Sequence, residues 1–134
     1  MKPAMTPEQA RQLPPLVLAY IGDSVYELAV RQHLVLSGRT RIDKLHQATV
    51  AWVRATAQAD ALEVLVDELD EAEADIVRRG RNCKPLRHPK SATLSEYRQS
   101  TGLESLLGYL YLSGQKERLQ ALLQRLIEIN EQDE

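Results

Sequence analysis

The sequence predicts an all-α fold, a helical bundle forming one domain over residues 1–134. Three observations carry that prediction. Apolar residues recur at helical spacing through most of the chain, and no stretch alternates cleanly enough to be a strand. Two segments, Leu16 to Leu36 and Ser100 to Leu112, are apolar on nearly every side, which is the pattern of a buried helix. Hydrophobic residues make up 43% of the chain, enough at this length to build a core.

The elements follow in order. Thr6-Pro7-Glu8-Gln9 combines an N-cap, a proline at the first helical position and a capping-box glutamine, so a short helix opens there and ends before Pro14-Pro15. The first apolar helix then runs to Leu36 and stops at Ser37-Gly38. Thr40 and Asp43 have capping-box spacing ahead of a long amphipathic pattern through Ile42, Leu45, Val50, Val53 and Ala57. Leu62, Leu65, Val66 and Leu69 continue the helical spacing after a break. A helix from Asp70 to Arg79 ends at Gly80, and Arg81 to Ser91, with two prolines and no period, is a loop. The second apolar helix ends at Ser113-Gly114. Leu119, Leu122, Leu123, Leu126 and Ile129 mark a final amphipathic helix before a polar tail.

Several classes are excluded. Asp23 and Glu27 interrupt the longest apolar stretch, so no run of about 18 or more uncharged apolar residues marks a membrane span. The N-terminus lacks the basic, apolar and small-residue succession of a secretory signal. Cys83 stands alone, which rules out an internal disulfide and suits a reducing cytoplasm. The net charge of −2 conceals its layout. Arg78, Arg79, Arg81, Lys84, Arg87 and Lys90 occur with no intervening acid, a local excess of +6 that leaves −8 for the rest of the chain. The acids between Asp60 and Asp75 read as a solvated helical face.

The chemistry concentrates in the two apolar helices. An ionised carboxylate buried alone costs several kcal/mol, so Asp23, inside Gly22-Asp23-Ser24, is expected to have a partner. Glu104 is the single acid of the second apolar helix, and Gly22 and Gly108 would let the two helices approach closely. Two such helices, each offering one carboxylate, make a site for a hard divalent cation that takes oxygen ligands. Bland readings stand beside this one. Thr101 and Glu104 have capping-box spacing, and Glu27, which shares the Asp23 face, has Arg31 four residues on as a partner. His33, His46, Trp52 and the tyrosines Tyr20, Tyr26, Tyr109 and Tyr111 read as packing or interface residues.

Tyr20-Ile21-Gly22-Asp23-Ser24-Val25 resembles the signature of the ribonuclease III catalytic domain. Leu103-Glu104-Ser105-Leu106-Leu107-Gly108-Tyr109-Leu110-Tyr111-Leu112 resembles that family's second metal-binding helix. The likeness extends over nearly the whole chain and is greatest to the family's short form, which has no double-stranded-RNA-binding domain. It implies a ribonuclease III-type endonuclease domain with Mg2+ held by Asp23 and Glu104 as the metal-binding and catalytic pair. It further implies a homodimer that hydrolyses double-stranded RNA to 5′-phosphate and 3′-hydroxyl ends, the substrate being the precursor of large-subunit (23S) ribosomal RNA. The basic loop, in this resemblance, grips the duplex, and the candidate RNA-binding residues are Arg78, Arg79, Arg81, Lys84, Arg87, Lys90 and Arg98. The chain departs from the longer family pattern at Ala19 and Thr101, where acids commonly stand, which leaves the number of bound ions open. Two other classes remain at this stage: a non-catalytic helical RNA-binding or ribosome-associated module, and an all-helical nucleotide pyrophosphohydrolase using Glu68-x-x-Glu71.

Overall fold

The computed structural model describes residues 5–85 and 90–132. Among these residues there are seven α-helices and one 3-10 turn, with no strand, as the periodicity predicts. The helices are α1 (Pro7–Arg11), α2 (Pro15–Leu36), α3 (Ile42–Val53), α4 (Ala55–Leu65), α5 (Glu71–Arg81), α6 (Leu94–Leu112) and α7 (Lys116–Gln132), with the 3-10 turn Val66–Glu68 between α4 and α5. The Thr6 capping box forms as expected, with Gln9 returning the bond to the Thr6 backbone. Gly38 and Gly114 lie at φ 99° and 70° just beyond α2 and α6, where a left-handed residue ends a helix.

Helix α6 is the centre of the bundle, with α2, α5 and α4 packed around it. From Ser100 to Leu110 every residue except Glu104 is buried. Its contact with α2 is backbone against backbone. A Cβ placed on Gly22 would lie 1.7 Å from the Glu104 carbonyl oxygen, and one on Gly108 would lie 1.9 Å from that of Leu18. Only glycine fits either position, so the expected close approach of the two acid-bearing helices is what the structure shows.

Helix α2 itself departs from the sequence reading. It was expected to be buried on all sides, but it lies on the outside of the bundle and buries only the face of Leu18, Gly22, Tyr26, Val30 and Leu34. Val17 (43%), Tyr20 (76%), Leu28 (66%) and Val35 (56%) are exposed along the opposite face. Tyr26 is in the core, and its hydroxyl accepts a bond from Asn130 Nδ2 at 2.8 Å.

Other boundaries move for local reasons. The long amphipathic pattern is broken at Arg54, whose extended backbone (ψ 154°) separates α3 from α4. Thr40 does not cap α3: its N-cap is Arg41, which lacks a side-chain capping bond and instead pairs with Asp43 at 3.2 Å. Gly80 does not end α5 but lies inside it, where a Cβ would meet Ser105 Oγ at 2.6 Å across the α5–α6 contact. Helix α6 begins at Leu94 with a Thr93–Glu96 capping box, so the Thr101–Glu104 spacing lies mid-helix and caps nothing. The acidic run is not all solvated face, since Glu73 is buried and joined to Arg118 at 2.7 Å. Burial raises the Glu73 carboxyl, but hydrogen bonds from Arg118 and the Asp70 backbone, with the Arg118 charge, outweigh it and hold the group below its ordinary value.

Candidate metal centre

The α2–α6 crossing brings together the two acids that the sequence singles out. Gly22 touches the backbone of Glu104, so Asp23, the next residue, is carried to the same place. Asp23 is exposed, contrary to the expectation that it is buried, while Glu104 is partly buried. The desolvation argument made for Asp23 therefore applies to Glu104. The Glu104 carboxyl is pushed up to about 8, chiefly by burial and also by the Asp23 charge and a hydrogen bond shared with Asp23, while a donor from Gln58 opposes them.

Two facing carboxylates repel each other and are stabilised by a cation between them. Among the described residues the charged neighbour contributing to the Glu104 shift is Asp23, a like charge. Oxygen donors in such a pair suit a hard divalent ion such as Mg2+. The residues therefore fit a cation, although among the described residues no group of three or more His, Cys, Asp or Glu is placed to hold one. The two departures from the longer pattern explain that count. Ala19 is buried and apolar, and Thr101 is buried with its hydroxyl donated to the Tyr97 carbonyl at 3.1 Å.

One polar residue of the site was missed by the sequence reading. Gln58 is buried on α4, and its Nε2 donates to Val53 O at 2.7 Å and to Glu104 Oε2 at 3.2 Å. The signal was available: Gln58 shares the apolar face of Ala61, Leu62 and Leu65, where a buried amide needs partners.

Other readings resolve as follows. Glu27 pairs with Arg31 at 3.4 Å, four residues along. His33 stacks on Trp52 with ring centroids 5.7 Å apart and meets Glu131 at 2.9 Å. Glu68, half of the pyrophosphohydrolase pattern, is engaged with Arg125 at 3.1 Å.

The basic residues divide into two groups. Arg78 pairs with Asp75, and Arg79 donates to the carbonyls of Arg11 (2.6 Å) and Leu13 (3.5 Å), tying α5 to the α1–α2 connection. Arg81 lines a groove of about 380 Å³ together with Asp60, Glu63 and Glu96, so three acids share its surroundings. Lys84, Lys90 and Arg98 are exposed, and Arg87 lies outside the described residues.

Comparison with known proteins identifies the family of the fold. The Ribonuclease III domain profile matches residues 16–115, which contain both acids and Gln58. A Mini-ribonuclease 3 from Symbiobacterium thermophilum is 54% identical over 112 residues, covering 84% of this chain and 86% of that protein. A Mini-ribonuclease 3 from Thermoanaerobacter sp. is 45% identical over 128 residues, 96% of this chain and 90% of that one. Among solved structures, a Fusobacterium nucleatum protein superposes with a TM-score of 0.79 at 30% identity, covering 88% of this chain and 94% of that one.

Proposed function

Because the chain belongs to the ribonuclease III family of endoribonucleases, we propose that it cuts double-stranded RNA at a divalent-cation centre held by Asp23 and Glu104. The observation that carries this reading is the convergence of these two carboxylates, Asp23 exposed and Glu104 partly buried, at the glycine crossing of α2 and α6. When bound, Mg2+ supplies the charge that lowers the pKa of a water and offsets the negative charge growing on the phosphate oxygens. Asp23 and Glu104 hold the ion, and the exposure of Asp23 leaves the centre open to a substrate as bulky as a duplex. No covalent nucleophile is required, and hydrolysis leaves 5′-phosphate and 3′-hydroxyl ends.

Lys84, Lys90 and Arg98 are exposed cations of the basic region and serve as its principal phosphate contacts; Arg78 is exposed too but is paired with Asp75. Arg78, Arg79 and Arg81 make smaller contributions because their guanidiniums already have protein partners or acidic neighbours. An A-form duplex is read by shape and 2′-hydroxyls rather than by base sequence. Two strands need two centres, and a two-fold homodimer supplies them. The exposed stripe Val17, Tyr20, Leu28 and Val35 offers the apolar surface for it. The substrate we assign, on the resemblance read from the sequence, is the precursor of 23S ribosomal RNA, a cytoplasmic substrate. Among the described residues no helix is long and apolar enough to cross a membrane.

Incubating the purified chain with long double-stranded RNA, with and without Mg2+, tests the reading. Cleavage should require the ion. Asp23→Asn and Glu104→Gln should each slow it by about 1,000-fold, the scale of losing several kcal/mol of charge stabilisation. Full activity in either variant would overturn the assigned centre.

A further inference from the structure

We propose that Gln58 is a positioning residue that holds the Glu104 carboxylate in its cation-binding orientation, and that the break between α3 and α4 serves to aim it. The proposal rests on the cation centre assigned above. Arg54 has an extended backbone, so the helix stops and restarts there, and the Val53 carbonyl at the end of α3 is taken by the Gln58 side chain. That bond, at 2.7 Å, commits one hydrogen of Nε2 and leaves the other for Glu104 Oε2 at 3.2 Å. The orientation of the amide is thereby determined. Turning it over would set its oxygen against the Val53 carbonyl, two acceptors with no proton between them. Gln58 can only donate to Glu104, and so it favours one rotamer of the ionised carboxylate.

The other half of the same amide argues against a purely structural role. Gln58 Oε1 is buried and has no hydrogen-bond partner among the described residues. An orphaned buried acceptor is a destabilising feature that an apolar side chain of similar size would remove. A glutamine retained in spite of it is retained for what its Nε2 does. Departures from good local chemistry of this kind are characteristic of functional sites.

The test uses the full chain with Mn2+ as the probe, its binding followed by loss of the free-ion electron paramagnetic resonance signal without RNA. Gln58→Met removes the donor at nearly constant volume. It should weaken Mn2+ binding by about 10- to 100-fold, the range for losing a group that orients a metal ligand. The Mg2+ concentration for half-maximal cleavage should rise by a similar factor, while the rate at saturating Mg2+ recovers towards that of the unaltered chain. Glu104→Gln is run beside it. If Glu104→Gln abolishes Mn2+ binding and a folded Gln58→Met leaves it unchanged, the positioning role is overturned while the centre stands. If Glu104→Gln itself binds Mn2+ normally, the centre is misassigned and the proposal falls with it. Gln58→Leu is the second variant, and failure of both to fold, judged by circular dichroism, would make Gln58 a structural residue and overturn the proposal.

Discussion

Helices α2 and α6 have the same composition, long apolar runs with one glycine at the crossing and one key acid, yet they occupy opposite environments. Helix α6 is enclosed by α2, α4 and α5, and its apolar residues from Leu103 to Leu110 are buried within the chain. Helix α2 buries one face and leaves Val17, Tyr20, Leu28 and Val35 in solvent. An apolar circumference in sequence therefore does not by itself mean burial within the chain. For α6 the cover is the chain itself. For α2 the outer face is available to a second copy. The acids differ in parallel: Glu104, on the enclosed helix, bears the desolvation, and Asp23, on the outer helix, is exposed to solvent.

The largest effect is expected where the two helices touch. An alanine at Gly22 or Gly108 gains up to about 1 kcal/mol in helix propensity. Its Cβ, however, would lie 1.7 or 1.9 Å from a backbone carbonyl oxygen, which no side-chain rotation relieves. Gly22→Ala and Gly108→Ala should each destabilise the protein by about 3 kcal/mol or more, and should abolish cleavage by separating the acids. Chemical denaturation curves check this, and a loss below about 1 kcal/mol in either variant would mean that the helices are not in backbone contact.

The next effect separates the two circumferences. Leu28 is 66% exposed on α2, whereas Leu106 is fully buried on α6. Leu28→Glu should leave the fold intact and weaken the proposed homodimer by about 100-fold or more, about 2.7 kcal/mol, because a two-fold interface would bury the new charge twice. Leu106→Glu should prevent folding altogether. Sedimentation velocity with circular dichroism distinguishes these outcomes, and a Leu28→Glu protein that dimerises as before would remove α2 from the interface.

What the sequence made legible follows the same division. Local chemistry was readable: the Thr6 capping box, the stops at Ser37-Gly38 and Ser113-Gly114, the glycine crossing and the convergence of Asp23 with Glu104 all depend on residues whose spacing is itself the signal. Features decided by tertiary neighbours were not. Gly80 reads as a helix stop in sequence, but its missing side chain is needed against α6. The break at Arg54 has neither proline nor glycine to announce it. Gln58 escaped notice because an amide in a helix is ordinary until its burial beside Glu104 is known. The acidic face likewise looked uniform, although Glu73 had been drawn inward by Arg118.

The smallest effect concerns stability without a cation, and it isolates the enclosed acid from the exposed one. Glu104 titrates at about 8 in the fold against an ordinary value of 4.5, chiefly because it is buried and also because Asp23 faces it. Between those two values the folded protein holds a proton that the unfolded chain has released, so stability falls as pH rises from about 4.5 and stops falling above about 8. Glu104→Gln carries no such proton. In chelator the variant should gain on the unaltered protein as pH rises from about 4.5 to about 8, read as a Tm difference that widens towards alkaline pH. The depressed Glu73 acts in the opposite sense, since its contribution is lost as pH falls below the ordinary carboxylate range, and it leaves the neutral to alkaline window clear. Adding Mg2+ should close the gap by stabilising the ionised pair of the unaltered protein alone. Asp23→Asn should show a weaker pH dependence, because it relieves the like charge without removing the buried carboxyl. A Tm difference that stayed flat from about pH 5 to about pH 9, with or without Mg2+, would show that Glu104 is not the desolvated member of the pair.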